Sequence, residues 1–199
     1  MDKKSQTIET YNKSAFALAN KFDSLGARIT DIEEVFNLLK KDSAKVLEIG
    51  CGNGRDAKEI LKWTNDYLGI DVSTELIKLA QSKVPDAMFQ VSDVTSFKFP
   101  SDLDVVFAFA SLIHVNKEEL KIILQNIYES LNSPGIVRIS LKYSDEYTEV
   151  TQEDEFGIRT YYHYSKTDIE ELAHNFSIVK NDILDFGKQK WLEVMLLKK

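Results

Sequence analysis

The chain has 199 residues, 43% of them hydrophobic and 29% charged, the balance of one soluble globular domain and not of a disordered segment. Its 25 Lys and Arg against 32 Asp and Glu leave a net charge of −7 and a pI near 5.1, which argues against nucleic acid or an anionic membrane as the main partner, because phosphates are held by Lys and Arg. One cysteine, Cys51, excludes an internal disulfide framework and a Cys-rich zinc site.

The polar start, Met1 to Gln6, has no apolar leader, and the longest apolar run, Val105–Val115, is too short to span a bilayer and contains Ser111 and His114. The expectation is a cytoplasmic protein. Ile8, Tyr11, Ala15, Leu18, Ala19 and Phe22 recur at helical spacing, Gly26 interrupts, and Ile29, Ile32, Val35, Phe36 and Leu39 mark a second helix. Short apolar runs then alternate with helical stretches. Strands are predicted at Val46–Ile49, Tyr67–Ile70, Met88–Val91, Asp104–Phe109 and Ile136–Leu141. Helices are predicted over Arg55–Trp63, over Ser73–Lys83 with Ser73 as N-cap, and over Asn116–Leu131 with an Asn116/Glu119 capping box. Such alternation implies a parallel sheet with helices on both faces. Phe176–Leu184 and Lys190–Leu197 are joined by Asp185 to Gln189 alone, too short for a crossover helix, so they should be antiparallel.

The most informative segment is Glu48-Ile49-Gly50-Cys51-Gly52-Asn53-Gly54-Arg55-Asp56, a strand running into three alternating glycines and then a helix. Glycines there let the backbone turn sharply and approach a ligand at the carboxyl edge of the sheet. A dinucleotide fingerprint needs a third glycine where Arg55 stands, and Glu48 and Asp56 repel a pyrophosphate. A cationic ligand without phosphate fits better. Acids recur at the next two strand ends, in Gly69-Ile70-Asp71-Val72-Ser73 and Val91-Ser92-Asp93-Val94. Taken singly, Asp71 is as well explained as a helix cap and Asp93 as a turn residue. Cys51 reads as a small buried filler.

Together these motifs resemble the class I S-adenosylmethionine-dependent methyltransferases, well over residues 44–142 and loosely over the whole chain. The resemblance implies an α/β three-layer sandwich, with a seven-stranded, mostly parallel sheet, an antiparallel last strand and an N-terminal helical lid. One domain would divide into a lid (1–43), a cofactor-binding core (44–142), a substrate-side insertion (143–164) and a final helix with the antiparallel pair (165–199). The implied cofactor is S-adenosyl-L-methionine. Glu48 would neutralise its methionine end, which Gly50, Gly52 and Asn53 let pass close to the sheet. Asp71 would accept from both ribose hydroxyls, and Val72 would pack on the adenine. Asp93 and the Val94 amide would read the adenine edge. Ala108 would lie near the methionine portion, as would Tyr11, unless Tyr11 only packs. Phe22 and Arg28 are weaker lid candidates.

On the acceptor side, the segment Val105–Val115 lacks the Asn/Asp-Pro-Pro-aromatic signature of nucleic-acid N-methylating enzymes of this fold. The expectation is transfer to an oxygen or nitrogen nucleophile of a small molecule. The alternatives are an RNA or protein methyltransferase, an NAD(P)-linked oxidoreductase or a non-catalytic cofactor-binding module. His114 is either a general base or a packed histidine. Tyr161, Tyr162 and Tyr164, with Lys142, are candidate substrate contacts. Thr160, Tyr162 and Tyr164 would share one face of an extended arm, which equally well merely covers the core. The acidic run Asp145 to Glu155 beside these aromatics suits a flat or cationic acceptor. No metal is expected, since His114, His163 and His174 have no ligand spacing.

Overall fold

Five parallel strands form the centre of the molecule, in a computed structural model that describes residues 2–187 and 189–199; Met1 of the polar start and Lys188 of the final link lie outside them. β1 (Lys45–Ile49), β2 (Asp66–Asp71), β3 (Met88–Val91), β4 (Leu103–Phe109) and β5 (Leu131–Tyr143) lie side by side in the order β3-β2-β1-β4-β5. Alternation along each strand divides the core. Val46, Val105, Phe107 and Phe109 pack toward α3 (Ile29–Leu39) and α4 (Ala57–Ile60), while Leu47, Ile49, Val106 and Ala108 pack toward α6 (Lys117–Ser130) and α7 (Lys166–Leu172). That is the expected sandwich of helices on both faces of a mostly parallel sheet.

Among the described residues the sheet holds two strands beyond the seven expected. The segment between β5 and α7 is a hairpin of β6 (Thr148–Asp154) and β7 (Gly157–Tyr164). β8 (Ser177–Phe186) and β9 (Gln189–Lys198) are antiparallel, as their short link requires, and β9 runs antiparallel along β5 as far as Lys142. Because β9 holds that edge, β7 takes the opposite one, which β4 leaves after Ser140, pairing Lys142 with His163 and Tyr143 with Tyr164. The hairpin therefore stands beyond the carboxyl end of β4, where ligands of such sheets bind.

Several boundaries differ from the expected ones. The first helix is two, α1 (Lys3–Lys13) and α2 (Ala15–Leu25), parted at Ser14. The helix expected over Arg55–Trp63 shrinks to α4, flanked by turns. β5 begins five residues before Ile136, at Leu131, since the Pro134-Gly135 pair lies inside it and not before it. The caps match: Ser73 accepts from Leu76 N ahead of α5 (Thr74–Lys83), and Asn116 with Glu119 forms the capping box of α6. Among the described residues no helix is long and apolar enough to cross a membrane.

Candidate functional site

The turn after β1 is built on backbone that only glycine adopts without strain. Gly50, Gly52 and Gly54 have φ of +70°, +55° and +72°. The amides of Gly50 and Cys51 both donate to the Ile70 carbonyl, at 2.7 and 3.0 Å, tying the turn to β2. A Cβ at Gly50 would lie 2.1 Å from the Ser111 Cβ, so the turn and the segment after β4 close against each other here. At the end of β2, Asp71 accepts from Gly52 N (2.9 Å) through Oδ2 and from Ser73 N (2.8 Å) through Oδ1. Burial raises its carboxyl above the usual range against those two bonds. A carboxylate has about four acceptor positions, so two remain for a ligand. The Ser111 hydroxyl and the Asn53 amide oxygen are buried beside the same turn without partners. Two orphaned polar atoms around a glycine cradle and a half-satisfied carboxylate suit a ligand with polar groups at both ends.

The other expected cofactor residues divide. Glu48 shares the parity of Val46, so its side chain points to the α3–α4 face, buried under the turn, where the Tyr67 hydroxyl donates to it at 2.5 Å. Burial, reinforced by neighbouring Asp56, raises its carboxyl. Asn53 spends its amide on α2, donating to Ala19 O and to Asp23 Oδ1 (2.9 Å), and so fastens the helix to the turn. Phe22 of α2 covers Gly52. Asp93 pairs with Lys4 of α1 at 2.8 Å and accepts from Thr95 N; these bonds outweigh burial and hold its carboxyl below the usual range. Val72 and Val94 are half-buried. Ala108 is sealed in the α6-side core, and the exposed end of that segment is Ala110, in left-handed backbone (φ +51°) with its N–H donating to Ser140 Oγ. Arg28 lies over the Phe109 ring and is tied to Glu193 and Asp31.

Tyr11, His114 and Tyr161 meet where α1, β7 and the 3₁₀ turn after β4 converge. The two tyrosine rings flank the imidazole, with centroids 5.3 and 4.9 Å away. His114 Nδ1 lies 2.6 Å from the Thr160 carbonyl and therefore carries the proton. Nε2 is then the acceptor of the Tyr11 hydroxyl at 2.8 Å. Burial pushes the imidazole pKa down to about 4, so the ring is neutral at pH 7. Lys142, almost buried, sits 4.3 Å above the Tyr161 ring. Tyr162 stacks on Tyr147 and, with His114 and Lys4, borders a cavity of about 90 Å³. Tyr164 is a core residue, fully buried with its hydroxyl donating to Val115 O at 2.6 Å.

The arm faces the site with the other side. Period two puts Arg159 with Tyr161, opposite Thr160, Tyr162 and Tyr164, and it is this face that meets Tyr11. Arg159 was not singled out from the sequence, although it is the only Lys or Arg between Lys142 and Lys166. The acidic run turns outward: Asp145, Glu146, Glu149, Glu153 and Glu155 are exposed, and half-buried Asp154 is paired with Arg159. Among the described residues no group of His, Cys, Asp and Glu could hold a metal ion.

Residues 46–135 match the family described as "Methyltransferase domain". The malonyl-[acyl-carrier protein] O-methyltransferase 2 of Ilyobacter polytropus is 28% identical over 74% of this chain and 55% of its own. A dTDP-3-amino-3,4,6-trideoxy-alpha-D-glucopyranose N,N-dimethyltransferase of Streptomyces venezuelae is 24% identical over 56% of this chain and 48% of its own. The chain thus spans about half the length of these curated relatives. Among solved structures, the magnesium protoporphyrin IX methyltransferase of Synechocystis with bound S-adenosylmethionine shares the fold, with a TM-score of 0.76, 15% identity, and coverage of 100% of this chain and 98% of that one.

Proposed function

We propose that this chain is a class I S-adenosylmethionine-dependent methyltransferase, as the match of residues 46–135 to a methyltransferase domain supports, and that it methylates an oxygen or nitrogen nucleophile of a small molecule. The observation that carries the cofactor assignment is Asp71, half-buried at the end of β2 beside a turn of three left-handed glycines, with acceptor positions to spare. Those positions suit two ribose hydroxyls. Gly50, Gly52 and the orphaned Ser111 hydroxyl would receive the methionine end, and Asp93 and the Val94 amide the adenine edge. When bound, S-adenosylmethionine supplies a methyl group on a sulfonium. The protein's part is to hold an acceptor in line with it and to exclude water. His114 Nε2 carries the neutral ring's lone pair, which the Tyr11 hydroxyl engages, and is the base of this cluster once that hydroxyl withdraws.

Lys4 of α1 pairs with Asp93, the acid expected at the adenine edge, so α1 would have to move for the cofactor to enter. The net charge of −7 supports a small-molecule acceptor over RNA, as does the amino-sugar nucleotide for which the Streptomyces venezuelae relative is named. Calorimetry with S-adenosylhomocysteine tests the cofactor: wild type should bind, and Asp71→Ala should lose about tenfold or more, as two charge-assisted hydrogen bonds imply. Failure of the wild type to bind, or unchanged binding by Asp71→Ala, overturns the assignment. Labelled methyl transfer into metabolite, protein and RNA fractions separates the acceptor classes.

A further inference from the structure

Arg159 and Lys142 both lie against the Tyr161 ring beside His114, and neither is fully used. Arg159 Cζ lies 5.5 Å from the centroids of both Tyr11 and Tyr161 and 5.6 Å from that of Phe156. Its side chain is 8% exposed, yet its Nε is sealed from solvent without a hydrogen-bond partner. An unmade bond on a charged donor is costly, and fixed cationic donors are retained where something else completes them. Lys142 Nζ, over the other tyrosine of the His114 cluster, makes no ion pair among the described residues and has only a long contact, 3.4 Å, with Gln189 Oε1. One carboxylate, Asp154, stands against these two charges. The remaining acids of the hairpin point into solvent, so the excess positive charge on the inner face is not neutralised by the outer one.

We infer that the methyl acceptor carries a carboxylate, which Arg159 and Lys142 hold against the Tyr161 ring beside His114. This rests on the methyltransferase reading and narrows its acceptor, reversing the cationic ligand that the acidic run suggested from sequence. A guanidinium and an ammonium set against the same tyrosine ring offer a carboxylate charge-assisted donors. Burial, with Arg159 close by, lowers the Lys142 pKa, and an anion placed between the two cations relieves that repulsion.

The test titrates the protein saturated with S-adenosylhomocysteine with malonate and benzoate, and in parallel with benzamide and benzylamine. The carboxylates should bind and the neutral and cationic probes should not. Arg159→Gln should weaken carboxylate binding about tenfold or more, with a partial return in Arg159→Lys. Its affinity for S-adenosylhomocysteine and its circular dichroism should match wild type. Carboxylates that do not bind, benzylamine that binds as tightly, or unchanged carboxylate binding in both Arg159→Gln and Lys142→Met overturns the proposal. So does a loss of S-adenosylhomocysteine affinity in Arg159→Gln, which would make Arg159 a cofactor contact. Failure of the methyltransferase reading itself would show differently, as no S-adenosylhomocysteine binding by the wild type.

Discussion

His114 shows how one residue's chemistry is set by what its two nitrogens meet. Its Nδ1 proton is committed to a backbone carbonyl and its lone pair to Tyr11, and burial holds its pKa near 4 against an ordinary value of 6.5. Between those values the unfolded chain binds a proton that the native protein does not. Stability is therefore full above about pH 6.5 and is lost as pH falls toward 4. The slope is at most about 1.4 kcal/mol per pH unit, or about 3 kcal/mol across the window. Urea midpoints should fall over that range in wild type and fall markedly less in His114→Gln; parallel profiles would contradict the half-buried neutral imidazole. The sequence marked His114 by its place after an apolar strand, but a sequence does not say which atoms fill a histidine's hydrogen bonds. Asp71 was legible as an acid at a strand end, because an apolar run and the residue that closes it are local features. Glu48 was legible as an acid and not as a direction, since its contacts with Tyr67 and Asp56 come from other elements.

At the scale of elements, α1 meets β7 through hydroxyls. The carbonyls of Phe156 and Ile158 and the amide of Thr160 lie on the edge of β7 away from β6, and β5 pairs with β7 only farther on. Ser14 and Thr10 donate to the two carbonyls at 2.7 Å, and Thr7 accepts from Thr160 N at 3.1 Å. The helix thus completes a strand edge that would otherwise be open. Thr7 and Thr10 are the buried residues of α1, so its inner face is polar, and a search for apolar periodicity follows Ile8 and Tyr11 instead. Replacing both threonines by valine keeps shape and removes two bonds. It should cost about 1 kcal/mol per bond and speed exchange of the Thr160 amide about tenfold; unchanged exchange would mean that α1 does not protect that edge. Elements with local signals were legible to the residue, as the Asn116/Glu119 box before α6 shows. The helix expected from Arg55 was overestimated, because the turn of three glycines extends into it and leaves Ala57–Ile60.

For the whole molecule, the question is how the N-terminal helices share the site with a ligand. Lys4 of α1 pairs with Asp93, the acid expected at the adenine, and Tyr11 occupies the lone pair of His114. Cofactor and α1 then compete for the same groups. Lys4→Ala removes one half-exposed pair, worth up to about 1 kcal/mol, so affinity for S-adenosylhomocysteine should rise by up to about fivefold. A fall in affinity would show that Lys4 serves the ligand and not the closed arrangement. The sequence by itself determined the parallel core, the glycine turn, the acids at three strand ends and the helix caps. Each of these is written within a few residues, in the period of apolar side chains, in backbone that only glycine adopts, or in a side chain bonding its own helix. Tertiary structure alone decided that the sheet has nine strands among the described residues and that Arg159, not the acidic run, lies against Tyr11 and Tyr161. Period two tells that Arg159 and Tyr161 lie on one side of a strand; which side is inward depends on where that strand joins the sheet, and two residue pairs with β5 settle it.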